Sequence, residues 1–206
     1  MTTSNPSNFD IEFIDPLFAV ALHLGLSHGI YQETWFRDWR LPQGDESFHL
    51  GVFALSLLTL ILAWVGYHGS IRRRPVKGFG RFIVDVVLVI FYATLLVKYT
   101  DFRATLFLLM CVYALYVIWD LFKSWEYHAD YANVQGLRTR YRRQIVTIIW
   151  FLVFIALWWL FSRNHLSEWS ALILAYVATV GHRINKEVPI WGALGGGVAK
   201  LFVHGN

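Results

Sequence analysis

Six stretches of the chain carry few polar residues, and polar or charged segments separate them. They run roughly over Phe13–Ile30, Phe48–Tyr67, Phe82–Val97, Ala104–Phe122, Ile145–Phe161 and Trp169–Gly181. A hydrocarbon core of ~30 Å takes about 20 helical residues, with a range near 17–25. Each stretch therefore predicts a transmembrane helix, the third and sixth borrowing flanking residues. A water-soluble bundle of six helices would need a polar face on each, and Ile145–Phe161 carries no charge at all. The expected class is all-α: a polytopic membrane protein with one six-helix transmembrane domain over residues 1–206.

Composition agrees with this pattern. Hydrophobic residues make up 56% of the chain and its mean hydropathy is +0.45. The helices leave no length for a separate soluble domain. Met1–Phe9 has no basic residue ahead of the first apolar run, so a cleaved signal is not expected. The one cysteine, Cys111, falls inside the fourth span and excludes an internal disulfide.

The distribution of charge predicts an orientation. Of the 18 Lys and Arg residues, Arg72, Arg73, Arg74, Lys77 and Arg81 follow span two. Lys123, Arg138, Arg140, Arg142 and Arg143 follow span four, and Arg183, Lys186 and Lys200 follow span six. Only Arg37, Arg40, Lys98, Arg103 and Arg163 fall on the other side. Both termini are expected to be cytoplasmic, in a cell membrane of the bacterial inner-membrane type. Topology and contact with anionic lipid account for the basic loops, so no nucleic-acid partner is expected. Residues 123–143 form a cytoplasmic basic segment into which the fourth helix is expected to extend. Residues 189–206 form a Gly-rich tail. Trp35, Phe36, Trp39, Trp119, Trp125, Trp158 and Trp159 are placed as interfacial anchors.

Ionisable groups within spans mark candidate sites, because each is costly in hydrocarbon. Asp15, Asp85 and Asp120 all fall toward the cytoplasmic ends, with His68 and His182 at the same level and Arg81 and Arg183 as partners. His23 differs, since it sits mid-span and cannot reach an interface. Pro16, Val20, His23 and Ser27 follow helical spacing and form one stripe. His28, His49 and His165 lie toward the outer side, but no pair has the one-turn spacing of a metal site. No P-loop, zincin or paired-carboxylate motif appears. Neither a cofactor nor an enzymatic activity is expected.

The segment Phe13-Ile14-Asp15, with the apolar run after it, resembles the Phe-Ser-Asp signature that opens the transmembrane protein 175 family of potassium channels. Trp64-Val65-Gly66-Tyr67-His68 resembles the family's Trp-x-x-His-His ending of the second span. The likeness runs as far as that span. Ile14 replaces the signature Ser, Pro16 follows the Asp, and Phe9 stands in the place of the family's Arg. His23 stands in the place of a small hydroxyl residue, and Asp85 near that of an Asn. The resemblance implies six spans with internal termini and tetrameric assembly around a pore lined by the first helix. Val20 would be the hydrophobic constriction, with His23 next along the pore and Ser27 one turn further out. Asp15, Trp64, His68 and Asp85 would form a structural network at the cytoplasmic side. A ring of histidines would respond to protons, because imidazole titrates near pH ~6.5.

The leading expectation is thus a homo-oligomeric cation channel, potassium-type or proton-sensitive. The alternative is a membrane anchor or sensor that signals to a cytoplasmic protein, as in bacterial stress or phage-defence systems. Arg138, Arg140, Arg142 and Arg143 would then be its contact to partner or lipid.

Overall fold

A computed structural model of the chain describes residues 6–32, 38, 41–73, 76, 78–127 and 134–187. They form six helices: α1 (Pro6–Gln32), α2 (Asp45–Arg73), α3 (Phe79–Val97), α4 (Phe102–Glu126), α5 (Val134–Ser162) and α6 (Glu168–Glu187). No strand occurs among the described residues. Each helix contains one predicted apolar stretch and continues past it into polar sequence, because backbone hydrogen bonding does not stop where hydrocarbon does.

Short polar turns reverse the chain between neighbours. The Asp101 carboxylate caps α4 by accepting from the Ala104 amide at 3.0 Å. The Thr105 hydroxyl donates back to the carbonyls of Lys98 and Asp101. Between α5 and α6, Asn164 takes a left-handed conformation (φ 58°) that asparagine tolerates better than most residues. Ser167 then caps α6 through the Ser170 amide at 3.2 Å.

The helices pack as a closed ring. In space the order is α1, α3, α4, α5, α6 and α2, with α2 returning to α1 and also touching α3 and α4. The interior is strongly aromatic and aliphatic: Phe18, Tyr92, Leu95, Leu96, Leu106, Leu109, Tyr113 and Phe154 are all buried. The outside is apolar too. Ile148, Ile149 and Leu152 on α5, Ile173 and Val177 on α6, and Ile90 on α3 are exposed. Continuous apolar surface on this scale belongs in lipid. Among the described residues, four helices are long and apolar enough to cross a membrane: Asp45–Ile71, Phe79–Val97, Phe102–Glu126 and Tyr141–Ser162. The protein is therefore an all-helical membrane protein. α1 and α6 are not among those four. The second half of α6 holds His182, Arg183, Asn185 and Lys186.

Two expectations need correction. The fourth helix does not run on through the basic segment: α4 ends at Glu126 with Tyr127 as its C-cap, and α5 begins at Val134. Arg138, Arg140, Arg142 and Arg143 thus belong to the first turns of the fifth helix. Trp119 is not an interfacial anchor, because it is buried between α3 and α4, where its indole meets a carboxylate. Trp125 and Trp159 are exposed. Trp35, Phe36, Trp39, the tail 189–206 and the side chains of Arg138 and Arg140 lie outside the described residues.

Candidate functional site

α1 divides sharply into two faces. Ile14, Phe18, Ala21, Gly25 and Gly29 are buried, at the three- and four-residue steps of a single helical stripe. Small residues on that stripe bring the backbone of α1 close to α3. The opposite face is uncovered: Val20 is 53% and Leu24 48% exposed, and Pro16, Ala19 and His23 are exposed beside them. Pro16, Val20 and His23 therefore share the outward side of the subunit. Ser27 lies at its margin, half-buried, its hydroxyl donating to the Leu24 carbonyl at 3.1 Å.

At the basic end of the bundle α1 is tied to α2. One Asp15 carboxylate oxygen accepts from Trp64 Nε1 at 3.2 Å and meets His68 Nε2 at 2.8 Å. The Trp64 and His68 rings touch edge to face at 4.8 Å, as expected for residues four apart on one helix. Asp85 is not part of this group. Its Oδ1 accepts from Trp119 Nε1 at 2.7 Å, joining α3 to α4 instead.

Behind α1, all six helices enclose a cavity of about 120 Å³. Its aromatic part is built from Phe18, Tyr67, Tyr92, Tyr113 and Tyr116, and its charged part from Asp85, Asp120, Lys123, Arg143, Arg183 and Lys186. The Tyr92 and Tyr116 hydroxyls bond to each other at 2.6 Å. His182 stacks on Tyr116 at 5.6 Å and meets Tyr113 edge-on at 5.0 Å. Asp120 accepts from the Thr147 hydroxyl at 2.6 Å and pairs with Lys186 at 3.0 Å. Lys123 donates to the Ser70 hydroxyl and lies 4.8 Å over the Trp119 ring. Arg81 contacts that ring too, at 4.5 Å. Arg183 lies over Gly66, where any Cβ would displace its guanidinium.

Sequence reasoning named Asp85, Asp120, His182, Arg81 and Arg183 in this region but missed Lys123, Lys186, Glu126 and the tyrosines as site residues. Arg81 reaches Glu126 at 3.2 Å, and both side chains are almost wholly buried. The missed groups did leave a signal. Tyr113, Tyr116, Asp120 and Lys123 repeat at helical steps on α4, as do Thr179, His182 and Lys186 on α6. Arg143 reaches the cavity, while Arg142 is half-buried beside it. The outer histidines do not converge: His28 and His49 each face Tyr99, at 6.4 and 6.5 Å, whereas His165 packs on Trp159.

No family model, curated protein or solved structure matches the chain.

Proposed function

We propose that the chain is one subunit of a homo-oligomeric cation channel, with a pore lined by the outward face of α1. The observation that carries this reading is the exposure of His23 midway along α1, beside the exposed apolar side chains of Ala19, Val20 and Leu24. A polar group facing hydrocarbon without a partner costs on the order of 2 kcal/mol or more. Bringing copies of α1 together around an axis removes that cost and turns each exposed stripe into the wall of a conduit. All six helices would span the membrane with both termini in the cytoplasm, as the basic loops suggest, and four copies would close the ring by analogy with the resembling family. Val20 would close the pore by dewetting, and His23 and Ser27 would contact the permeating ion or its water. The Asp15–Trp64–His68 contact would hold the pore helix to its own subunit while the axis opens.

The test is ion flux through the purified protein in liposomes, comparing potassium, sodium and proton gradients. Val20→Ala is expected to raise basal flux and His23→Ala to change selectivity or its pH dependence. No flux in any gradient, at acid or alkaline pH, would transfer the assignment to the membrane anchor that docks a partner through Arg138, Arg140, Arg142 and Arg143.

A further inference from the structure

The cavity lies on the buried side of α1, where Phe18 lines it, away from the outward face that carries Val20 and His23. Four cationic side chains, Lys123, Arg143, Arg183 and Lys186, face it, against two carboxylates, Asp85 and Asp120. Lys186 already has a carboxylate, its ammonium resting on Asp120 at 3.0 Å. Lys123 does not: its contacts are the Ser70 hydroxyl and the Trp119 ring, and no carboxylate pairs with it among the described residues. A second observation is independent of this charge surplus. His182 is only 6% exposed, lines the same cavity, and its Nε2 has no hydrogen-bond partner among the described residues. Buried polar atoms are rarely left in that state unless a ligand or water completes them. The Tyr116 ring lies between His182 and Lys186, stacked on the imidazole at 5.6 Å and facing the ammonium at 5.7 Å.

We propose that this cavity binds a phosphate-class oxyanion within each subunit. A phosphoryl group, with several oxygens that accept hydrogen bonds, suits a cavity faced by more basic side chains than carboxylates. His182, with its proton on Nε2, donates to one phosphoryl oxygen, and the Lys123 ammonium and Arg183 guanidinium donate to the others. At about 120 Å³ the cavity has room for several waters, whose hydrogen bonds a phosphate would take over through its own oxygens. The tyrosine-lined part receives whatever small group the phosphate carries. The same phosphoryl chemistry is offered by a soluble phosphate monoester and by the headgroup of phosphatidic acid.

The experiment is titration calorimetry of inorganic phosphate into the full-length protein, held in phosphatidylcholine nanodiscs with and without phosphatidic acid. Saturable binding in phosphatidylcholine alone, weakened about tenfold by Lys123→Met and by His182→Phe, supports a soluble ligand. Arg163→Gln, in the turn at the opposite end of the bundle, should leave that binding unchanged. Phosphate binding that is absent, together with a rise in melting temperature on adding phosphatidic acid that Lys123→Met abolishes, supports the headgroup. If His182→Phe does not fold, Lys123→Met alone carries the comparison. Binding that survives in both folded variants, or no response to either phosphate source, overturns the proposal.

Discussion

Gly25 of α1 lies flat against Leu96 of α3: a Cβ at position 25 would come within 2.5 Å of the Leu96 Cβ. No rotamer relieves a contact between two Cβ atoms, so the two backbones approach this closely only because the first residue is glycine. This contact sets how far the pore-facing stripe of the proposed channel stands from the rest of its subunit.

Gly25→Val is therefore expected to destabilise the protein by about 1–3 kcal/mol, the usual cost of overpacking. Leu96→Gly in the same chain should return part of the loss, because it removes the Cβ that the new side chain meets. Thermal unfolding of the single and double variants in a mild detergent measures the coupling. Simple additivity of the two changes would show that the close approach is not what the glycine provides.

The Asp15 clamp should depend on its acceptor more than on its charge. Asp15→Leu leaves the Trp64 indole and the His68 imidazole without their shared oxygen and is expected to cost about 1–2 kcal/mol, whereas Asp15→Asn keeps an oxygen there and should cost less. Melting temperatures of the two variants, compared with Trp64→Phe, provide the check. Equal losses for both Asp15 variants would mean that the contact is electrostatic in origin.

Arg81 and Glu126 test a different balance. Removing Arg81 takes the counter-charge from the buried Glu126 carboxylate, which keeps the Gly78 amide, so Arg81→Met is expected to lower stability by about 3–5 kcal/mol, while adding Glu126→Leu should recover much of it. Yield of folded protein and its unfolding midpoint report both effects. A double variant no better than the single one would show that the pair matters for geometry and not for mutual compensation.

Assembly through α1 can be read covalently. In a Cys111→Ser background no native thiol remains, so a cysteine placed at Val20 reports only on its own surroundings. Oxidation in membranes is expected to link Val20→Cys subunits into dimers and to leave Ile173→Cys, on the apolar outer surface of α6, as monomers. Cross-linking of neither would contradict an axis lined by α1.

The helices were legible in the sequence because hydrocarbon imposes length and apolarity together, and every predicted apolar stretch lies inside one observed helix. Their ends were less legible. Lys123–Arg143 is mostly polar and contains no proline, and nothing in its composition separates the last turn of α4 from the first turns of α5. The two faces of α1 could be read from spacing, since Pro16, Val20 and His23 recur at helical steps opposite Phe18. The cavity could not be assembled the same way. Its charged and aromatic groups come from six helices, and only packing decides that Lys186 meets Asp120 across 66 positions of chain. Trp119 was misplaced for a related reason: an indole near a helix end fits a headgroup region equally well, and only Asp85 on the neighbouring helix draws it inward.

The position of Arg183 over Gly66 also bears on how this protein can change over generations. Alanine at position 66 would push the guanidinium aside, a shift that the flexible arginine side chain can make, so the arginine keeps its present place only where the glycine is kept. Once Arg183 is lost, the constraint on position 66 lifts and larger residues become admissible there. The two sites, 117 positions apart in the sequence (66 and 183), should therefore vary as a pair, with the arginine departing before the glycine does.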